Sequence, residues 1–281
     1  MDFDGVICNT EPELSISGYK SAAKYWPGVF ANVDSARKLR MLDALARLRP
    51  VLVKGYESMV MARLLLEDPA SEERIMQHWD TLLPEALQRW QLQPNVLSAF
   101  SDGYRNGSLM KDRHAWTHKN QLFAGVYEAL RACEYPWYVA SSKAAHRISV
   151  LMGSLLGIDL PPNSPRLFAS LVPPEESKVE ALRTISQRPL VKESRARVHF
   201  IDDRYETVRA VREAPDLSNV VVYLADWGYN TDTERQNAQN MDGVRLLSLM
   251  DFCELLRWGI IMGVDDGCEP SREEVTAGVA Q

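Results

Sequence analysis

The sequence predicts an α/β protein: a parallel sheet layered with helices, interrupted near its start by an all-helical block. Three observations predict it. From about residue 119 onward, short apolar runs alternate with helical periodicity, the pattern of a parallel sheet with right-handed crossovers. Residues 11–117 carry helical spacing and little that reads as strand. Ahead of both stands an Asp-x-Asp-Gly, Asp2 to Gly5. On extended backbone, residues two apart share a side, so Asp2 and Asp4 are expected in one pocket at a strand's C-terminal end. Two close carboxylates repel, which calls for a compensating divalent cation, and Gly5 lets the chain turn away.

The 281 residues suit one large domain or two modest ones. At 46% hydrophobic and 25% charged, the composition is that of a soluble globular chain. A net charge of −6 favours neither nucleic acid nor an anionic membrane, and an anionic substrate would need a local positive site. No apolar run approaches the roughly 18 residues of a membrane span. The acidic start lacks a signal-peptide n-region. Cys8, Cys133, Cys253 and Cys268 form no C-x-x-C, so reduced thiols in a reducing compartment are expected.

In the helical block, Glu11-Pro12 opens a helix to about Tyr25, and Pro27-Gly28 breaks it. Asp34 is a candidate N-cap for a helix carrying Leu39, Leu42, Leu45 and Leu48. Pro50 interrupts, and Val51 to Leu66 continues with Val53, Met59, Val60 and Leu64 as core. Ser71-Glu72-Glu73 reads as a capped, acidic helix start. Pro84 and Pro94 each suit the first turn of a further helix.

Beyond it, a helix around Leu122–Cys133 precedes the apolar run Pro136 to Ala140, which stops at Ser141-Ser142-Lys143. A helix through Ile148, Leu151 and Leu155 ends near Gly157. Leu167 to Ala169 is a short strand candidate. After Pro173-Pro174, Lys178 is expected to open the helix Val179–Ile185. Arg197 to Ile201 reads as a buried strand ending at Asp202-Asp203, and a helix follows from about Tyr205 to Glu213. Val220 to Leu224 is a second buried strand. Val244 to Leu247 and a helix near Asp251–Trp258 close the unit. The tail, residues 261–281, is expected to be a loose terminus.

Asp2/Asp4, Ser141-Ser142-Lys143 and Asp202-Asp203 all fall where apolar runs end, and a parallel sheet lines those ends up along one edge. Lys178 follows a Pro-Pro loop. Together they offer a nucleophile, a second carboxylate, a hydroxyl, an ammonium and an acidic pair. Singly, each also reads as a helix start, an N-cap or a solvated turn.

In this order the motifs resemble the haloacid dehalogenase (HAD) superfamily, in its phosphatase and phosphomutase branch with a helical cap, phosphoglycolate phosphatase-like. Asp2-x-Asp4-Gly5-Val6 is similar to the first motif, and Asn9-Thr10-Glu11-Pro12 to its continuation into the cap hinge. Ser141 stands at the second motif, Lys178 at the third and Asp202-Asp203 at the fourth. The resemblance implies a Rossmann-like core over residues 1–10 and 118–260 and a helical cap over 11–117. It implies Asp2 as nucleophile, Asp4 as acid and base, Ser141, Ser142 and Lys178 as phosphoryl-binding groups, and Mg²⁺ held by Asp2, the Asp4 carbonyl, Asp203 and Asp202. The activity implied is hydrolysis of small phosphomonoesters through an aspartyl-phosphate. A phosphomutase shares these motifs. Only Met1 precedes Asp2 where the family has a strand, so a catalytically degraded binding protein is a third alternative. Partners implied are a small phosphorylated metabolite, no nucleic acid and no membrane. The location implied is intracellular and soluble, in the cytoplasm or, with a preceding targeting segment, an organelle.

Outside the motifs, His114 and His118 at i, i+4 read as a surface helix end rather than a metal site. His199 reads as a core histidine. Trp227 to Asn230 is expected as a loop over the active edge or an aromatic plug, and Lys54, Tyr56 and Arg113 are candidate substrate-facing side chains. The cap is expected to close over the site and set specificity.

Overall fold

The computed structural model describes residues 1–194 and 196–261. All but the first residue of the expected C-terminal tail therefore lies outside the described residues. Among the described residues, seven short strands are present: β1 (Cys8–Asn9), β2 (Gln121–Leu122), β3 (Val139–Ala140), β4 (Leu167–Phe168), β5 (Val198–Asp202), β6 (Val220–Ala225) and β7 (Val244–Leu247). β5, β6 and β7 run parallel, as do β3 and β4. Residues 1 and 2 stitch the two groups together. The Ala140 N–H donates to the Met1 carbonyl at 3.0 Å, and the Asp2 N–H donates to the Ile201 carbonyl at 2.9 Å. The backbone thus orders β4, β3, residues 1–2, β5, β6 and β7 side by side. β1 and β2 pair antiparallel where the chain leaves for, and returns from, the helical insert.

Helices cover both faces, as parallel strands require. Phe3, Ile7, Trp116, Val139, Leu151 and Phe252 belong to one apolar cluster. Val179, Leu182, Phe200, Val208 and Val222 belong to another. A third is drawn from residues 14–97 alone, with Leu45, Met59, Val60, Ile75 and Leu97 at its centre. Its principal helices are Glu11–Tyr25, Ser35–Arg47, Glu57–Glu67, Ser71–Arg89 and Pro94–Lys111. Asp34 caps the second of these, accepting from the Arg37 N–H at 2.7 Å.

Several local expectations change. Leu39 is 61% exposed while Leu45 and Leu48 are buried. Steps of three residues fall about 60° short of a full helical turn, so three such steps carry Leu39 to the opposite side from Leu48. Pro84 lies inside Ser71–Arg89 rather than opening a helix, and the break falls at His78. Lys178 sits in the second turn of Pro174–Ser186, because Pro174 with Glu175 and Glu176 starts that helix four residues earlier. The largest change is at the start. After Asp2 the chain turns at once: the Ile7 and Cys8 N–H groups both donate to the Phe3 carbonyl, and Gly5 takes φ +79°. Asp2 and Asp4 are therefore not on one extended face, and their carboxylates diverge.

Candidate active site

β5 delivers Asp202 as its last residue, and Asp203 follows in the turn. One carboxylate oxygen from each of Asp2, Asp202 and Asp203 lies within 4.8 Å of the others, and all three residues are buried. Lys178 reaches in from its helix. Its Nζ donates to Asp2 Oδ2 at 2.7 Å and to Asp202 Oδ2 at 2.6 Å. Backbone donors hold three of the other four oxygens. The Phe3 N–H donates to Asp2 Oδ1 at 2.6 Å, the Arg204 N–H to Asp202 Oδ1 at 3.0 Å, and the Tyr229 N–H to Asp203 Oδ2 at 2.8 Å. Two glycines make room for Asp203. A Cβ on Gly5 would meet Asp203 Oδ2 at 2.1 Å, and one on Gly228 would meet Asp203 Cβ at 2.2 Å.

The cluster holds three carboxylates against one ammonium. Burial pushes the Asp203 carboxyl up to about 8, with the Asp202 and Asp2 charges adding to it; Arg49 and the Tyr229 N–H only partly offset this. Burial raises Asp202 too, against the pull of Lys178. For Lys178, burial acts downward, but Asp2 and Asp202 outweigh it and hold the amine well above the ordinary lysine value. Buried, hard carboxylate oxygens in negative excess are the donor set that Mg²⁺ takes, so the residues present fit that ion.

The Asp4 carboxylate stands apart. Lys143, just past β3, donates its Nζ to Asp4 Oδ1 at 3.0 Å and Oδ2 at 3.2 Å. Burial would raise Asp4, yet Lys143, followed by Arg49, holds it below the ordinary carboxylate value. Ser141 is buried at the end of β3, one residue past the pairing of Ala140 with Met1, which sets it beside Asp2 across neighbouring strands. Its Oγ accepts from the Lys143 N–H at 3.3 Å. Ser142 is exposed.

Asp4, Ser142 and Lys143 form one wall of a cleft of about 570 Å³. Arg49, Lys54, Tyr56 and Arg105 from the insert form the other. Arg105 is buried and paired with the fully buried Glu13, its Nε donating to the two carboxylate oxygens at 3.1 and 3.2 Å. Trp116 Nε1 and Ser17 Oγ donate to the same carboxylate at 3.1 and 2.8 Å. Burial raises Glu13, but Arg105 outweighs it and brings the carboxyl down to about 2.

The Trp227–Asn230 segment closes the edge. The Tyr229 hydroxyl accepts from the Thr10 and Glu11 N–H groups at 2.8 and 3.0 Å and donates to Asn9 Oδ1 at 2.9 Å. The Arg49 guanidinium stacks 4.0 Å over the Tyr229 ring. Tyr229 lies in the loop expected over the active edge, whereas Lys143, Arg49, Glu13 and Arg105 are site residues that sequence reasoning passed over as such. Of those four, Lys143 had a local signal, in Ser-Ser-Lys. Of the other candidates, Lys54 and Tyr56 line the cleft, whereas Arg113 lies by Ser154 on a separate cavity with His114 and His118. Those two histidines are exposed, their Nε2 atoms 3.0 Å apart. His199 is half-buried against the Tyr223 hydroxyl at 3.0 Å.

The parallel core, the helices on both its faces and the helical insert make this an α/β fold with an all-helical insert. A solved structure described as a predicted phosphatase from Clostridium acetobutylicum matches with a TM-score of 0.52 at 12% identity, over 90% of this chain and 94% of that one. A haloacid dehalogenase-like family hydrolase from Streptococcus pneumoniae gives 0.48 at 14% identity, over the same shares of the two chains. At 12% identity, the first of these likenesses is one of fold. No family model and no curated protein matches the sequence. Among the described residues, no helix is long and apolar enough to cross a membrane.

Proposed function

We propose that the protein is a Mg²⁺-dependent hydrolase of small phosphomonoesters that works through an aspartyl-phosphate on Asp2. The observation that carries this is the buried Asp2–Lys178–Asp202–Asp203 cluster, which has too few positive charges of its own. When bound, Mg²⁺ would be held by Asp2, Asp202 and Asp203, with the Asp4 carbonyl proposed as a further ligand; it would supply charge neutralisation for an anionic phosphoryl group.

The chain's own residues do the rest. Lys178 and the Phe3 N–H each hold one oxygen of Asp2, which fixes the carboxylate as the group that meets the incoming phosphorus. Attack forms the Asp2–phosphorus bond and breaks the bond to the leaving oxygen. Ser141 and Ser142 hold phosphoryl oxygens, and Lys178 offsets charge in the transition state. A bound phosphoryl group competes with Asp4 for the Lys143 ammonium, which lets Asp4 carry a proton and pass it to the leaving oxygen. With the product gone, Asp4 is again the carboxylate, ready to take a proton from the water that cleaves the aspartyl-phosphate. The metal-free haloacid dehalogenase reading leaves Asp4, Asp202 and Asp203 without work, and phosphomutase activity would return the phosphoryl group to product rather than water.

The test is phosphate release from a panel of phosphomonoesters with and without Mg²⁺, beside an Asp2→Asn control. Metal-dependent release that the substitution abolishes is the expected result. Release from no substrate, or equal release by the Asp2→Asn protein, overturns the reading.

A further inference from the structure

Where the chain returns from the insert to the core, it carries a cluster that the reaction above does not use. His114 lies on the short helix Arg113–Thr117, and His118 follows it directly. The spacing alone reads as a surface helix end; the structure adds how the rings are aimed. The Asp112 carboxylate caps the helix by accepting from the Ala115 N–H at 2.9 Å. The His118 N–H donates to the His114 carbonyl at 3.0 Å, so one helical turn sets the two side chains on the same face. Trp116 and Thr117 between them are buried and pin that turn to the protein. Both imidazoles are exposed, and their Nε2 atoms meet at 3.0 Å. Two ring nitrogens that close cannot each hold a proton in the gap, so at least one lone pair faces it. A dication that holds two imidazoles at about 2.0–2.1 Å, about 90–110° apart, sets their nitrogens about 2.8–3.4 Å from each other. The observed separation falls in that span.

A cavity of about 650 Å³ opens beside the pair, with Thr117 and Asn120 on its wall. Thr117 Oγ1 and Asn120 Oδ1 are buried without a hydrogen-bond partner. A buried polar atom left so costs about 1–3 kcal/mol, and each of these oxygens can accept from a water bound to a metal ion. Among the described residues, no carboxylate lines this cavity, so it offers little to a hard ion such as Mg²⁺. Arg113 shares the cavity, but it is exposed and engaged with Ser154 Oγ at 3.4 Å, and solvent screens its charge.

We propose that His114 and His118 form a transition-metal site, chelating a late first-row dication such as Zn²⁺ through their Nε2 atoms, with water completing the shell. It shares no residue with the carboxylate trio and does not rest on the hydrolase reading.

Titration calorimetry with Ni²⁺ and with Zn²⁺, on the full chain in excess Mg²⁺, tests this. Mg²⁺ takes oxygen ligands and leaves imidazoles free. A saturable site is expected, and His114→Gln and His118→Gln should each weaken it about tenfold or more, because either loss removes the chelate. His78→Gln takes away an exposed imidazole elsewhere on the insert and should leave the affinity as it was. Melting temperature in metal-free buffer checks that the variants fold. Should either fail to fold, the Cu²⁺ electron paramagnetic resonance spectrum of the wild-type protein decides, with nitrogen splitting from two imidazoles expected. Absence of saturable binding overturns the proposal, as do an affinity unchanged in both variants, an equal loss in His78→Gln, or a Cu²⁺ spectrum without that splitting.

Discussion

Two buried ionic clusters lie on either side of one cleft, and they differ in whether their charges close. Glu13 and Arg105 match one to one, and the remaining Glu13 acceptors are filled by Trp116 and Ser17. Its carboxyl is accordingly drawn down to about 2. Asp2, Asp202 and Asp203 share a single lysine, and Asp203 is driven up to about 8. Burial is the largest influence in both places. What separates them is the local count of opposite charge. A cluster that closes on itself fixes helices in position; one that does not is incomplete until something else arrives.

Several measurements bear on that contrast. The largest effect is expected from Asp2→Asn, which removes the proposed nucleophile and should lower phosphate release by about 10⁴-fold or more, read in steady-state kinetics. Next, Lys178→Met takes away the ammonium shared by Asp2 and Asp202 and should cost about 3 kcal/mol of transition-state stabilisation, on the order of 10² in kcat. Glu13→Gln breaks the closed pair and should lower unfolding free energy by about 3 kcal/mol in denaturant titrations.

That third variant also has a pH signature. Glu13 has a folded pKa of about 2 against an ordinary 4.5, so its contribution is complete above the ordinary value and lost as pH falls through the folded one. Wild type should therefore lose stability between those values by an increment that the Gln protein lacks, visible in melting temperature against pH. Smaller again, Mg²⁺ at about a hundred times its dissociation constant should stabilise the protein by about 2.7 kcal/mol, and Asp203→Asn should shrink that gain. The smallest effect is expected for Arg47→Ala. Its bond to Glu72 is exposed, and the change in denaturant midpoint should correspond to under about 1 kcal/mol.

The strand ends were legible because a buried strand is a run of apolar residues that must stop somewhere. Ser141 and Asp202 stand at such stops. Lys178 was legible as a place in the order of motifs, though its helix begins earlier than expected, because Pro174 at the first turn outweighs a lysine as a start signal. The parting of Asp2 from Asp4 was hidden: two-residue spacing implies a common face only while the backbone stays extended, and it turns at Phe3. Glu13 with Arg105, and Arg49 with Tyr229, were hidden for another reason. The partners are far apart in the chain: Glu13, Arg105 and Arg49 each alone look like a charged residue on a helix or at a turn, and the loop expected at Tyr229 gave no sign of Arg49 as its partner. The first pair is separated by 92 residues.

Tyr229 touches three things at once: Asp203 through its backbone, residues 9–11 through its hydroxyl, and Arg49 through its ring. A swing of the helical insert about residues 9–11 would slide Arg49 off that ring while the hydroxyl keeps hold of the pivot. The guanidinium, one of the few positive charges felt by Asp203, would leave with it. Opening and closing would then retune the acidic trio electrically as well as admit solvent, so a single aromatic ring would report the posture of the lid to the chemistry beneath.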